Sequence, residues 1–310
     1  MSPPKSAGAL ADFSSQLAGA VEAAAKSIVA IHARRRIPSS GIIWRDGVIV
    51  SASHTVRRDG EVTVALPTGE SMTATIAGRD PATDLVALKV SGVKSQAAAK
   101  ADADSRRVGS IVLAVGRPGR DVTATIGVIS AVGEGWRTWQ GARIDQVLRL
   151  DLAIQDGFSG GALVSASGAV VGVNNSALAR GAPLALPAAA VDRVLDELLE
   201  HGHVRRAFIG VAVHPVTLGA SIVKRHQLPH ESALVVMSVG EGTPAETAGV
   251  MVGDVLIAAN GQPLRRPTDL LDALATAKVG SPIEIKHLRG ADLKTVTVVP
   301  VHRGAGDARE

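Results

Sequence analysis

The sequence predicts a mainly β protein of two domains: first antiparallel barrels or a sandwich, then a smaller α+β unit. Three observations carry this expectation. From Ile28 to about Leu186, short apolar runs recur between turn signals with no intervening helical pattern, which argues against a βαβ sheet. An amphipathic helix, "AAAVDRVLDELLEHG", then interrupts the series, and a different grammar begins near Ala207. The length of 310 residues suits two domains of roughly 100–200 residues each.

In chain order, "SSQLAGAVEAAAKSIVAI" opens with a capping serine, Ser14 or Ser15, and places Leu17, Val21, Ala24, Ala25 and Ile28 at helical spacing. Residues 1–27 thus read as a helical arm. The first domain, 28–200, contains "GVIVSAS" after Asp46-Gly47 and "EVTVAL" after Asp59-Gly60, then "DLVALKV", "SIVLAVG", "VTATIGVISAV" and "AVVGV". The closing helix carries Val191, Val194, Leu195, Leu198 and Leu199 on one stripe and stops at Gly202. Residues 201–206 read as a linker. The second domain, 207–302, reads as strands at 208–216 and 234–239, the short helix "PAETAG" and the strand "DVLIAA". An Asn260-Gly261 turn, a helix from about Thr268 to Ala277 and strands at 283–288 and 294–301 complete it, leaving a tail at 303–310.

Composition narrows the chemistry. The chain is 46% apolar, which supports real cores, but aromatics are only 2% and Tyr is absent. Without cysteine there is no disulfide frame, thiol nucleophile or thiolate metal site. The net charge of +4 includes the run "ARRR" at 33–36, and the lack of interleaved aromatics favours a solvated surface over nucleic-acid binding. The chain shows no apolar run of membrane-spanning length, and "MSPPKSAGALADFSS" has no hydrophobic signal core. His201 with His203, and His226 with His230, have spacings that could suit a metal, but no carboxylate joins either pair, and solvated loop residues are the expectation. No metal or cofactor is expected.

The chemistry centres on "LAIQDGFSGGALVSASGAVVGVNNSALARG", residues 152–181, where Ser159 lies between Gly157 and Gly160-Gly161. A nucleophile elbow, a trypsin-like nucleophile loop and a plain Gly/Ser turn all fit these few residues. An elbow needs a helix after the serine, whereas "GGALVSASGAVVGV" reads as a hairpin. A protease loop needs a neutral imidazole to accept the serine proton and a carboxylate to fix its tautomer. "IVSASHTV" offers His54 at the end of a β run, and "RDPATDLVALKV" offers Asp84 where an apolar strand begins. The order His, Asp, Ser, with Asp84 30 residues after His54, favours the protease reading.

These segments resemble the HtrA (DegP-like) serine proteases, in which a trypsin-fold enzyme is followed by PDZ domains. The resemblance spans about Leu17 to Val301. It carries the general base onto His54 ("IVSASHTV"), the orienting carboxylate onto Asp84 ("TDLVALKV") and the nucleophile onto Ser159 ("DLAIQDGFSGGALVSASGAVVGVN"). It further includes "ADADSRRVGSIVLAVGRPG", "FIGVAV" and "EGTPAETAGVMVGDVLIAANGQPL". The resemblance implies a trypsin-like double β-barrel and an oxyanion hole from the N–H groups of Gly157 and Ser159. It also implies a PDZ carboxylate loop at Phe208, Ile209, Gly210 and Val211, with Leu271 or Leu274 flooring an apolar pocket. Implied partners are unfolded or misfolded polypeptides, peptide C-termini at the PDZ domain, and a homotrimer built on the arm through Phe13, Leu17 and Val21. The family is often extracytoplasmic, while the chain itself specifies no compartment. Two residues depart from the family pattern, Asp156 where proline is usual and Phe158 where a small polar residue is usual. A ring there is expected to block the oxyanion loop or to line the specificity pocket, which keeps a non-proteolytic, peptide-binding scaffold as the alternative.

Overall fold

A computed structural model describes residues 8–34, 36–92, 96–137, 143–178 and 182–302, and the chain divides into two compact units between Val204 and Arg205. The tail 303–310 lies outside the described residues.

The first unit opens with helix α1 (Ala9–Ala25). The strands β1 (Ile28–His32), β2 (Ser39–Arg45), β3 (Val48–Ala52), β4 (Glu61–Ala65), β5 (Ser71–Asp80) and β6 (Leu85–Lys89) follow. They close into an antiparallel barrel in the order β1-β2-β3-β6-β5-β4. A second barrel comprises β7 (Ile111–Gly116), β8 (Thr123–Arg137), β9 (Arg143–Asp151), β10 (Ala162–Ser165), β11 (Val170–Asn175) and β12 (Leu184–Pro187), in the order β10-β11-β12-β9-β8-β7. Barrel closure leaves no sheet edge exposed. It also resolves the choice between barrels and a sandwich, which strand periodicity alone leaves open.

Each barrel has its own apolar interior. Val29, Ile31, Ile43, Ile49, Val64 and Leu88 fill the first, and Val112, Ile129, Leu148, Leu163 and Val171 fill the second. A further core joins them, where Ile42, Trp44 and Leu85 meet Leu113, Val115 and Val173. Branched side chains thus do the packing that aromatics do in many cores.

Helix α2 (Ala188–His201) belongs to this unit. Its Val191, Leu195 and Leu198 are buried in the inter-barrel core, and the N–H of Gly202, at φ +77°, closes the helix onto the Leu198 carbonyl. Trp44 donates from Nε1 to Asp192 at 2.8 Å, and the Lys100 ammonium sits 4.9 Å from the centre of the Trp44 ring. Along α1, Leu17 and Val21 pack against the chain's own core instead of facing outward with Phe13. Leu10 and Phe13, 79% and 38% exposed, are large apolar side chains that the helix leaves in water.

In the second unit, β14 (Val211–Thr217), β15 (Ser232–Val239), β16 (Val255–Ala259), β18 (Ile283–Arg289) and β19 (Asp292–Val298) form a sheet in that order. The short β17 (Gln262–Pro263) pairs with β16, and β13 (Ala207–Phe208) pairs with β20 (Val301–His302). The expected strand 208–216 is broken at Gly210, whose φ is +82° and which a Cβ would drive to 2.2 Å from Thr243. The helices are α3 (Ala220–His226), α4 (Pro244–Thr247) and α5 (Pro267–Thr276). Sequence periodicity missed α3: it is seven residues long, and of its residues Ile222 packs on the small apolar cluster of Ala233, Ile257 and Leu288.

Candidate active site

Strand register brings His54 and Asp84 together. Ala52 at the end of β3 pairs with Leu85 at the start of β6, so the chains diverge just as His54 and Asp84 emerge. Ser53 N–H donates to the Asp84 carbonyl at 2.9 Å and holds the two segments side by side. Asp84 adopts a positive φ of 55°, an uncommon conformation for a residue with a side chain.

Asp84 as a residue is 7% exposed, and its carboxylate accepts three hydrogen bonds. Oδ1 takes the backbone N–H of His54 at 2.7 Å, and Oδ2 takes His54 Nδ1 at 2.5 Å and Asn175 Nδ2 at 2.7 Å. These donors replace the water a buried carboxylate loses. With Nδ1–H bound to Asp84, the free lone pair of the imidazole is on Nε2, the tautomer a general base requires.

Ser159 lies on the second barrel, just before β10. Gly160 N–H donates to the Asn174 carbonyl and Asn174 N–H to the Gly161 carbonyl, both at 2.9 Å, so the serine is seated beside the end of β11. Its Oγ is 2.8 Å from Ser176 Oγ, and among the described residues no hydrogen bond joins it to the His54 ring. His54, Ser159, Ser176 and Gly157 line one cleft of about 610 Å³.

The turn ahead of the serine is built from both barrels. Phe158 N–H closes it onto the Gln155 carbonyl at 3.0 Å, with Gly157 at φ +87°. The Gly157 carbonyl accepts a 2.6 Å hydrogen bond from Ser40 Oγ of β2, which in turn accepts from Arg117 N–H at 2.8 Å. The Arg117 guanidinium, held below its ordinary range by burial against the opposing pull of Asp121, donates to the carbonyls of Ile28, Arg120 and Ala25. A Cβ on Gly160 would come within 2.4 Å of the Ser40 carbonyl, and one on Gly161 within 2.4 Å of the Val115 carbonyl. The bare backbone at Gly160 therefore lets the two barrels close on each other, and that at Gly161 lets β10 lie close against β7 within the second barrel.

The expectation for Phe158 is corrected. Its ring is fully buried (0% exposed) and rests against Gly116 and Ser40. It does not line the cleft; it fills the space beneath the turn formed by residues 155–158. Asp156 does line the cleft. Sequence reading missed Asn175, Ser176 and Ser40. The polar triplet "NNS" directly after the apolar "AVVGV" is the signal that could have found the first two.

In the second unit, Ile209 is buried, and the carbonyls of Ile209 and Gly210 accept from Ala245 N–H and Gly240 N–H at 2.8 and 2.9 Å. Phe208 is half-buried, and Val211 begins β14, the edge strand of the sheet. Leu274 joins Leu270 in the core, while Leu271 is half-buried. Among the described residues no group of three His, Cys, Asp or Glu could hold a metal ion.

Fold and site together define a trypsin-like peptidase domain, the family description matched over residues 39–173, followed by a PDZ domain, matched over residues 207–299. The chain belongs to the HtrA (DegP-like) serine proteases. It is 35% identical over 273 residues to a probable periplasmic DegP-like serine endoprotease of Rhizobium meliloti (strain 1021), covering 86% of this chain and 53% of the relative. A protein of the same description from Chlamydia trachomatis is 32% identical, with 85% of this chain and 54% of the relative covered. The chain thus spans about half the length of these curated relatives. Solved structures match over nearly their whole length. The serine endoprotease from Yersinia pestis has a TM-score of 0.73 at 27% identity, covering 93% of this chain and 98% of that one. The HtrA-type protease AlgW with a decapeptide also has a TM-score of 0.73, at 26% identity, with 93% and 99% covered. Among the described residues no helix is long and apolar enough to cross a membrane.

Proposed function

We propose that the chain is a serine endopeptidase of unfolded or misfolded polypeptides, with Ser159 as nucleophile, His54 as general base and Asp84 as its orienting acid. The observation that carries this is the three-donor Asp84 carboxylate, which points the His54 lone pair away from itself. In the reaction Ser159 Oγ leaves Ser176, passes its proton to His54 Nε2 and attacks the scissile carbonyl carbon. The N–H groups of Gly157 and Ser159 stabilise the resulting oxyanion. His54 then protonates the leaving amine, and water attacks the acyl-enzyme by the reverse route.

The second domain captures peptide C-termini by strand addition to β14, with N–H groups near Ile209–Val211 taking the carboxylate and Leu271 meeting an apolar side chain. The consumed carbonyls of Ile209 and Gly210 support this, since they turn away from the peptide. Leu10 and Phe13, exposed at the start of α1, support self-association of the arm into a homotrimer. A non-proteolytic scaffold is the second reading, favoured by the hydrogen bond between Ser159 and Ser176.

Cleavage of β-casein and fluorophosphonate labelling, compared for the wild type and Ser159→Ala, separate the two. The expected loss is roughly 10⁴–10⁶ in rate, as for triads acting as a unit. An inert, unlabelled wild type would establish the scaffold instead. Peptide capture is read on the Ser159→Ala chain, where amidating an apolar peptide's C-terminus should weaken micromolar binding sharply. Equal affinity for acid and amide would remove the carboxylate loop from residues 208–211.

A further inference from the structure

The two walls of the cleft differ in charge. Ser159, Ser176 and residues 154–157 form the second-barrel wall, where Asp156 is the charged side chain. The first-barrel wall carries His54 with Arg34, Arg57 and Arg58. All three arginines are exposed. Arg57 and Arg58 follow His54 by three and four positions, and Arg34 Nε donates to the carbonyl of Thr55 at 3.3 Å.

This basic wall is held in place. Arg79 reaches from β5 and donates to the carbonyls of Val56 and Arg58, clamping the backbone on either side of Arg57. Two nearby carboxylates are engaged elsewhere, Asp59 at 3.4 Å from Arg79 and Asp84 by His54 and Asn175, which leaves Asp156 on the facing wall. Among the described residues neither Arg57 nor Arg58 has a carboxylate partner. Burial and the charge of Arg57 hold the Arg34 guanidinium below its ordinary range, against the opposing pull of Asp156 and Asp84. Among the described residues of the cleft, three arginines face the single carboxylate Asp156, so the wall carries a net positive charge.

Chemistry orients the substrate against it. His54 must deliver its proton to the leaving amine, so the residues that follow the scissile bond run along the His54 side of the cleft. We propose that Arg34, Arg57 and Arg58 are specificity determinants that select polypeptides with Asp or Glu immediately after the scissile bond. The inference rests on the proteolytic reading of Ser159 and adds a substrate class to it.

The test digests a proteome-derived peptide library with the full-length wild type and with the double variant Arg57→Glu/Arg58→Glu. The residues flanking each cut are read by mass spectrometry, and fluorophosphonate labelling counts the active sites in each preparation. At low salt the wild type should favour Asp and Glu over Lys and Arg at the first positions after the cut by roughly threefold to tenfold, a preference that shrinks as salt screens it. The double variant should reverse the preference toward Lys and Arg. Labelled wild type with unbiased cuts, or a preference unmoved in the double variant, would overturn the specificity proposal alone. No cuts and no labelling would overturn the proteolytic reading and this proposal with it.

Discussion

Ser40 Oγ donates a 2.6 Å hydrogen bond to the carbonyl oxygen of Gly157, tying a strand of the first barrel to the turn that presents Ser159 on the second. The bond fixes the plane of the peptide that follows Gly157, and with it the direction of the Phe158 N–H and of the turn. Ser40→Ala should cost roughly tenfold in kcat with a smaller change in KM. That is less than the 10²–10³ expected when an oxyanion donor is removed outright, because the donors remain and only their aim is loosened. It also leaves the Arg117 N–H without its acceptor, a stability cost of about 1–3 kcal/mol. Steady-state kinetics and thermal unfolding on the same preparation separate the two effects. A normal kcat with a lowered Tm would show that the contact is structural only.

Ser159 Oγ is hydrogen-bonded to Ser176 Oγ at 2.8 Å, and in the proposed triad that bond competes with His54 for the hydroxyl. Ser176→Ala removes the competitor and should speed fluorophosphonate labelling of Ser159 by about 2-fold to 10-fold, the equivalent of one net hydrogen bond of about 0.5–1.5 kcal/mol. A slower labelling rate would mean that Ser176 assists the nucleophile rather than restraining it.

Phe158 is a core residue. Phe158→Ala opens a cavity between Gly116 and Ser40 under the turn before Ser159 and should destabilise the first unit by about 3–5 kcal/mol. Denaturant unfolding measures this directly. A loss below about 1 kcal/mol would indicate that the ring leaves the core in solution.

The second unit should weaken in acid. Burial alone would raise the Asp254 pKa, but hydrogen bonds from Arg289, at 2.8 and 2.7 Å, and from Met251 N–H outweigh it and hold the carboxyl below its ordinary range. Burial likewise pushes the His287 imidazole below its ordinary range, despite Asp254 at 3.7 Å. Both folded values lie below the unfolded ones, so each group's contribution is present above its unfolded pKa and lost as pH falls. The loss begins below about pH 6.5 for His287, and Asp254 joins below about pH 4. Calorimetry of the full chain should show the second-domain Tm falling between about pH 7 and pH 5, and His287→Phe should flatten that slope. A wild-type Tm flat over this interval would contradict the assignment.

Much of this protein is written locally. Turn dipeptides such as Asp46-Gly47 and the two-residue alternation of "EVTVA" define strands over a few residues, so a mainly β chain followed by an α+β unit is legible without coordinates. His54, Asp84 and Ser159 stand out because few residue types do acid–base or nucleophilic chemistry, and each occurs in a distinctive segment. What the sequence leaves open is decided between segments far apart in the chain. Ser40 meets Gly157 across 117 positions, and Asn175 meets Asp84 across 91, through contacts that exist only once both barrels have closed. The same holds for Phe158, since whether a ring beside Ser159 faces solvent or core depends on the space left between two packed barrels. The present hydrogen bond of Ser159 to Ser176 rather than to His54 is likewise a matter of rotamer and register. No one-dimensional pattern encodes it, because chain periodicity specifies which face a residue occupies but not which atom from another strand comes within 3 Å of it.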